Sequence, residues 1–104
     1  VTDFHANAVS ALSPSHPGEL LEDIIPATGK TKTEIADLLG ISRQLLHAIL
    51  SGRKPVSPDV AARLGKLFGD GPAVWLRMQA SFDAWHAERE VDTSAIPTLK
   101  AAWR

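Results

Sequence analysis

An all-α domain of five helices is what this sequence predicts, on three observations. Apolar residues recur at helical spacing in five stretches, each stretch is bounded by residues that start or stop helices, and none shows the alternation of a half-buried strand. With 104 residues, 44% hydrophobic and 22% charged, the chain has the length of one domain and a globular composition, which excludes wholesale disorder.

The first helix is announced by His16-Pro17-Gly18-Glu19, ahead of Leu20, Leu21, Ile24 and Ile25, which form one apolar stripe. Pro17 suits a first helical position, Gly29 lies beyond the end, and Pro26 is expected to distort or end the last turn. Thr31 and Glu34 have capping-box spacing at the head of a second helix, which carries Ile35, Ala36, Leu38 and Leu39 and stops at Gly40. Ser42 caps a third, Arg43 to Ser51, with Leu46, Ile49 and Leu50 on one face and Gly52 after it. Ser57-Pro58-Asp59 supplies a cap, a first-position proline and a first-turn acid for a fourth. That helix is expected to bury Val60, Ala61, Leu64, Leu67 and Phe68 and to end at Gly69. Pro72 opens the fifth and longest, which runs to about Glu90. The expected organisation is an N-terminal arm, residues 1–15, a helical domain, 16–90, and an irregular C-terminal tail, 91–104.

The lack of cysteine excludes disulfides and thiolate metal sites. No apolar run reaches the roughly 18 residues that span a bilayer. Val1 to Leu12 has no Lys or Arg ahead of its short apolar patch, unlike a secretory signal. A soluble, cytoplasmic protein without a membrane partner is therefore expected. The net charge of −1 hides a gradient: −4 over Val1–Gly29, +4 over Lys30–Lys66 and −1 over the remainder. A basic middle beside an acidic arm suits one anionic and one basic partner.

Within the basic middle, Lys32 to Ser51 meets the demands of a helix-turn-helix. Two short helices crossing steeply need a small residue midway along the first, and Ala36 is there; the sharp turn favours glycine, and Gly40 supplies it. Ile35, Leu39, Ile41, Leu46 and Ile49 are apolar where the two helices must face inward. A plain helical hairpin is the alternative, and it would not require these positions to agree. If the second helix enters a major groove, Arg43, Gln44, His47 and Ala48 lie opposite Leu46 and Ile49. They are the candidate base contacts, since Arg suits guanine, Gln suits adenine and a methyl meets thymine. Lys32, Thr33, Ser42, Ser51, Arg53 and Lys54 flank this face as candidate phosphate contacts.

Other chemistry finds little support. Asp83, His86 and Glu90 share a helix face but lack a second histidine or an HExxH pattern, and read as a solvated charged face. His5 and His16 fall in no recognisable constellation. There is no nucleophile elbow, phosphate loop or paired-carboxylate site, so neither an enzyme nor a bound cofactor or metal is expected.

From His16 to Ala87 the chain resembles the HigA/VapI group of antitoxins, in the Xre-like branch of helix-turn-helix proteins. The resemblance is carried by His16-Pro17-Gly18-Glu19 with Leu20, by Glu34-Ile35-Ala36 through Leu39-Gly40-Ile41-Ser42-Arg43-Gln44, and by Ile49 to Gly52. It continues through Pro58 to Leu64, Phe68-Gly69, and Trp75-Leu76 followed by Gln79 and Asp83. Phe82 stands where an aromatic with a hydroxyl is usual, and Asp70-Gly71 replaces a more ordinary loop. The resemblance implies a five-helix Xre/lambda-repressor-like fold and a dimeric repressor of its own operon. It further implies neutralisation of a small basic RelE-like (HigB-type) toxin that cleaves mRNA. Charge alone suggests Glu19, Glu22 and Asp23 as the surface for such a toxin. Glu22 and Asp23 point away from the Leu21 and Ile25 stripe, so they can be changed without disturbing packing. Because like charges repel, a basic toxin is expected to bind away from the positive Lys32–Lys54 surface that meets DNA.

Trp75, Met78, Phe82 and Trp85 form a continuous stripe on the fifth helix. Such a stripe is more often core than interface, but its far end extends beyond what a small core needs. A homodimer through these four residues is expected. Two other functions compete with the antitoxin reading: a stand-alone Xre-family regulator without a toxin, and a protein-interaction module with a vestigial helix-turn-helix.

Overall fold

The computed structural model describes residues 13–100. Most of the N-terminal arm, His5 included, and the end of the tail at 101–104 lie outside the described residues. Five helices make up the domain: α1 (Pro17–Ala27), α2 (Lys32–Leu39), α3 (Arg43–Leu50), α4 (Pro58–Phe68) and α5 (Pro72–Glu90). No strand occurs among the described residues.

Three of the caps are the expected ones. The hydroxyls of Thr31, Ser42 and Ser57 accept hydrogen bonds from Glu34 N, Leu45 N and Val60 N, satisfying backbone donors that an open helix end leaves free. The cap of α1 is different, and it corrects the expectation for His16. His16 Nδ1 accepts from the Gly18 N–H at 2.9 Å while the His16 N–H donates to Glu19 Oε2 at 3.2 Å. So His16 belongs to a defined constellation, and the exposed Glu19 gives one carboxylate oxygen to the cap of its own helix. The imidazole is 4% exposed and stands edge-on to Phe82 at 5.0 Å, linking the start of α1 to α5. Pro26 does not end α1; the helix runs on to Ala27 and closes where the Thr28 N–H and hydroxyl both donate to Ile25 O.

α1 crosses α3 almost backbone to backbone. A Cβ on Gly18 would lie 2.0 Å from Ile49 O, so no side chain fits at this crossing. The core gathers Leu21 and Ile25 from α1, Ile35, Ala36 and Leu39 from α2, and Leu46, Ile49 and Leu50 from α3. Val60, Ala61 and Leu64 of α4 and Val56 of the preceding loop complete it, with Trp75 of α5. Leu67 and Phe68, expected in the core, are half-buried at its margin.

Trp75 is the largest correction. At 1% exposure it is a core residue of its own chain, with its indole N–H donating to Asp70 Oδ1 at 3.1 Å, and it cannot line a dimer interface. The unusual Asp70-Gly71 loop thus supplies the acceptor that a buried indole needs. One turn later Gln79, also buried, accepts from the Val56 N–H at 2.8 Å and donates to Asp83 Oδ1 at 2.9 Å, tying the α3–α4 loop to α5. Residues 91–100 form no regular element and are exposed. No described helix is long and apolar enough to cross a membrane.

Candidate nucleic-acid interface

The turn between α2 and α3 is built as the sequence predicts. Gly40 takes a left-handed conformation (φ 73°), which a side chain would strain, and the N–H of Ile41 returns to Ala36 O at 3.1 Å. A residue that sequence reasoning missed holds this turn from behind. Arg63 of α4 donates from its guanidinium to Leu39 O at 2.9 Å, and Nε pairs with Asp59 Oδ1 at 2.6 Å. Arg63 counts toward the basic middle of the chain, yet its charge is spent on the turn and on Asp59. The i,i+4 spacing of α4 could have announced the pair with Asp59, but not the hold on the turn, whose carbonyls are 24 and 23 residues away.

On α3, Arg43, Gln44 and His47 are exposed on one face, opposite the buried Leu46 and Ile49. They line one shallow depression together with Arg53 and Ala48. Ala48 is corrected here: it lines the depression on the face expected of it, but at 7% exposure it is buried there rather than projecting. Its carbonyl is a hub that accepts from Arg53 N, Lys54 N and Ser51 Oγ, and this folds the segment after α3 back against the helix. Ser51 is corrected too. Its hydroxyl proton goes to Ala48 O and its oxygen accepts from Arg53 Nε at 2.9 Å, so it orients Arg53 and has no proton to give a phosphate. Ser42 differs, because as a cap it only accepts, which leaves its hydroxyl proton available.

At the head of α2, Thr33 is exposed, and Thr31 and Glu34 form the reciprocal cap. Hydrogen bonds from the Thr31 backbone, then from its side chain, hold the Glu34 carboxyl below the usual carboxylate range; Lys30 adds a smaller Coulombic pull and slight burial opposes it. Lys32 is not a free cation. Its Nζ lies 2.9 Å from Glu22 Oε1 on α1. The expectation that the acidic surface and the DNA surface are separable is therefore corrected at Glu22, which touches the other surface through Lys32; Asp23 is exposed and in no ion pair among the described residues.

The stripe on α5 splits. Trp75 faces the core, Met78 packs at its edge, and Phe82 and Trp85 are half-buried near the far end. There Phe82 stacks against His86 at 4.2 Å and the Arg89 guanidinium lies 3.8 Å over the Trp85 ring. His86 Nδ1 pairs with Glu90 Oε2, and Asp83 is engaged with Gln79. Among the described residues no group of three or more His, Asp and Glu could hold a metal ion.

A helix-turn-helix domain family matches residues 18–74, the span that contains nearly all of α1, the α2–α3 unit, α4 and the first residues of α5. This chain belongs to that family. Virulence-associated protein A' of Dichelobacter nodosus is 35% identical over 72 residues, covering 68% of this chain and 63% of that protein, so the chain spans less than two-thirds of that relative's length. An addiction module antidote protein of a HigA family from Coxiella burnetii has the same fold, with a TM-score of 0.68 and 33% identity over 78% of this chain and 98% of the other. PA4674 of Pseudomonas aeruginosa, solved in complex with its operator DNA, aligns with a TM-score of 0.68 and 25% identity over 83% of this chain and 99% of that one. The Xre-like fold and the kinship with HigA- and VapI-type proteins are thus borne out, and the chain has the fold of a helix-turn-helix DNA-binding regulator or antitoxin. In this family frame, the His16-Pro17-Gly18-Glu19 motif acquires physical content: a histidine cap, a pre-set first residue and the glycine that lets α1 reach α3.

Proposed function

We propose that this chain represses its own operon by binding operator DNA as a dimer and that it neutralises a small basic RelE-like toxin, one that cleaves mRNA. The observation that carries the DNA half is the α3 face: Arg43, Gln44 and His47 project together from a helix whose opposite face is locked in the core, with Arg53 oriented beside them by Ser51. Such a face can meet base edges without any change in packing. In this reading Lys32, Thr33, Ser42, Arg53 and Lys54 contact phosphate. Operator DNA in the PA4674 complex supports it.

The toxin half rests on the likeness to the HigA-family antidote protein and on the exposed acids of α1. Glu19 takes part in the helix cap and Glu22 pairs with Lys32, so in this reading Asp23 meets a cationic partner directly and Glu22 does so by releasing Lys32. Met78, Phe82 and Trp85 are the dimer surface in this reading. A two-fold axis there would set two recognition helices about 34 Å apart on one face of DNA. The domain comprises residues 16–90, and the protein works in the cytoplasm. The test is a gel shift on the DNA upstream of this reading frame, beside co-expression with any small basic chain encoded next to it. A salt-dependent shift with toxin capture supports the whole reading. A shift without capture leaves a stand-alone regulator, and no shift at any salt concentration refutes DNA binding.

A further inference from the structure

Lys32 and Glu22 belong to the two surfaces that the proposed function assigns to different partners, yet they form one ion pair. The pair joins the head of α2 to α1 at 2.9 Å, with the two side chains 40% and 46% exposed. A phosphate that takes Lys32 must displace a carboxylate already in place. We infer that Glu22 is an internal competitor of the DNA backbone for Lys32, so that it lowers DNA affinity and couples the two surfaces. This rests on the reading of α2–α3 as a DNA-binding unit.

The physical argument runs through charge and counterions. A lysine whose charge is matched by a neighbouring carboxylate attracts phosphate weakly, and it releases little net counterion when it binds. Removing the Glu22 charge leaves Lys32 as a full cation at the head of α2. Glu22 occupies, in the free protein, the place that a phosphate oxygen would take beside Lys32. The coupling has a definite sign. A cationic partner seated on Glu22 frees Lys32 for phosphate, and DNA seated on Lys32 frees Glu22 for a cation. Each partner therefore strengthens the other, by the reciprocity that links any two binding sites.

The experiment measures binding of the full chain to a 20-bp duplex of random sequence across a salt series, by fluorescence anisotropy. Glu22→Gln is expected to raise affinity at low salt by between about 1.5-fold and fivefold, the range that an exposed ion pair spans. It should also steepen the slope of log affinity against log salt by about one unit. Asp23→Asn, which removes the same charge one residue away without breaking an ion pair, is expected to give a smaller gain. In a Lys32→Gln background the Glu22→Gln gain should shrink to that of Asp23→Asn. Gln suits both helical positions, Glu22 exposed and Lys32 half-buried at a helix end, so the fold is retained in each variant. Equal gains from Glu22→Gln and Asp23→Asn, or a Glu22→Gln gain that persists without Lys32, would overturn the inference while leaving DNA binding in place. If the wild-type chain shows no salt-dependent binding to the duplex or to its own upstream DNA, the DNA reading fails and the inference with it.

Discussion

α2 and α3 are eight residues each and each presents one buried face, whereas α5 is 19 residues long and buries only Trp75 and Gln79 fully. In the short pair, a residue's position around the helix decides its fate: Leu46 and Ile49 go in, Arg43, Gln44 and His47 stay out. Along α5, position around the helix is not enough, because the surroundings change along its length. The near end lies on α4, the middle reaches the α3–α4 loop through Gln79, and towards the far end Phe82 meets the His16 cap of α1. The same apolar stripe therefore means core at Trp75 and half-exposed surface at Trp85.

The sharpest way to break this contrast is to truncate both tryptophans. Trp75→Ala should cost about 3–5 kcal/mol of folding stability in denaturant unfolding, since it empties a fully buried site and removes the hydrogen bond to Asp70. Trp85→Ala, which removes the cation–π contact with Arg89 and the ring contact with His86 from a half-buried site, should cost less, about 1 kcal/mol. It should instead lower the dimer population in sedimentation at micromolar concentration. Equal stability losses in the two variants would abolish the division of the stripe into core and surface.

Gly18→Ala tests the other end of the comparison, where α1 supports the recognition helix. The methyl would sit against Ile49 O with backbone on both sides, so α1 must move; a loss of about 3 kcal/mol in thermal unfolding is expected. Little or no loss would show that the α1–α3 crossing is looser than its geometry implies.

The recognition face itself is tested by Arg43→Ala and Gln44→Ala. Each should cost about 1–3 kcal/mol on the cognate operator and little on random DNA, whereas Lys54→Ala should weaken both alike. Equal losses on the two sequences for Arg43→Ala would move that residue from base reading to phosphate contact.

The smallest expected effect is at the Glu34 cap. Its carboxyl is held below the usual range in the folded chain, so it contributes stability that is present above the unfolded value and lost as pH falls through the folded one. Thermal stability should therefore fall on acidification through and below the ordinary carboxylate range, and Glu34→Gln should flatten that dependence. An unchanged pH profile in the variant would remove the cap from the account.

Much of this was legible in the chain because its causes are local. The serine and threonine caps, the Gly40 turn, the alternation of inward and outward residues on α3 and the extent of α5 depend on neighbours within four positions, where helix periodicity acts. Those features the amino-acid sequence determines by itself. What only the tertiary structure decided are the places where a residue answers to a distant partner. Arg63 is claimed by the carbonyls of the α2–α3 turn, Lys32 by Glu22 across two helices, Trp75 by the packed centre, and Gly18 by the backbone of α3. Ala48 and Ser51 sit on the face the periodicity assigns them, and the returning backbone of Arg53 and Lys54 then converts one into a floor and the other into a support. The physical reason is the same in each case: a charge, a hydroxyl or a volume has only one place to go once the helices are packed, and spacing along the chain does not encode who stands opposite.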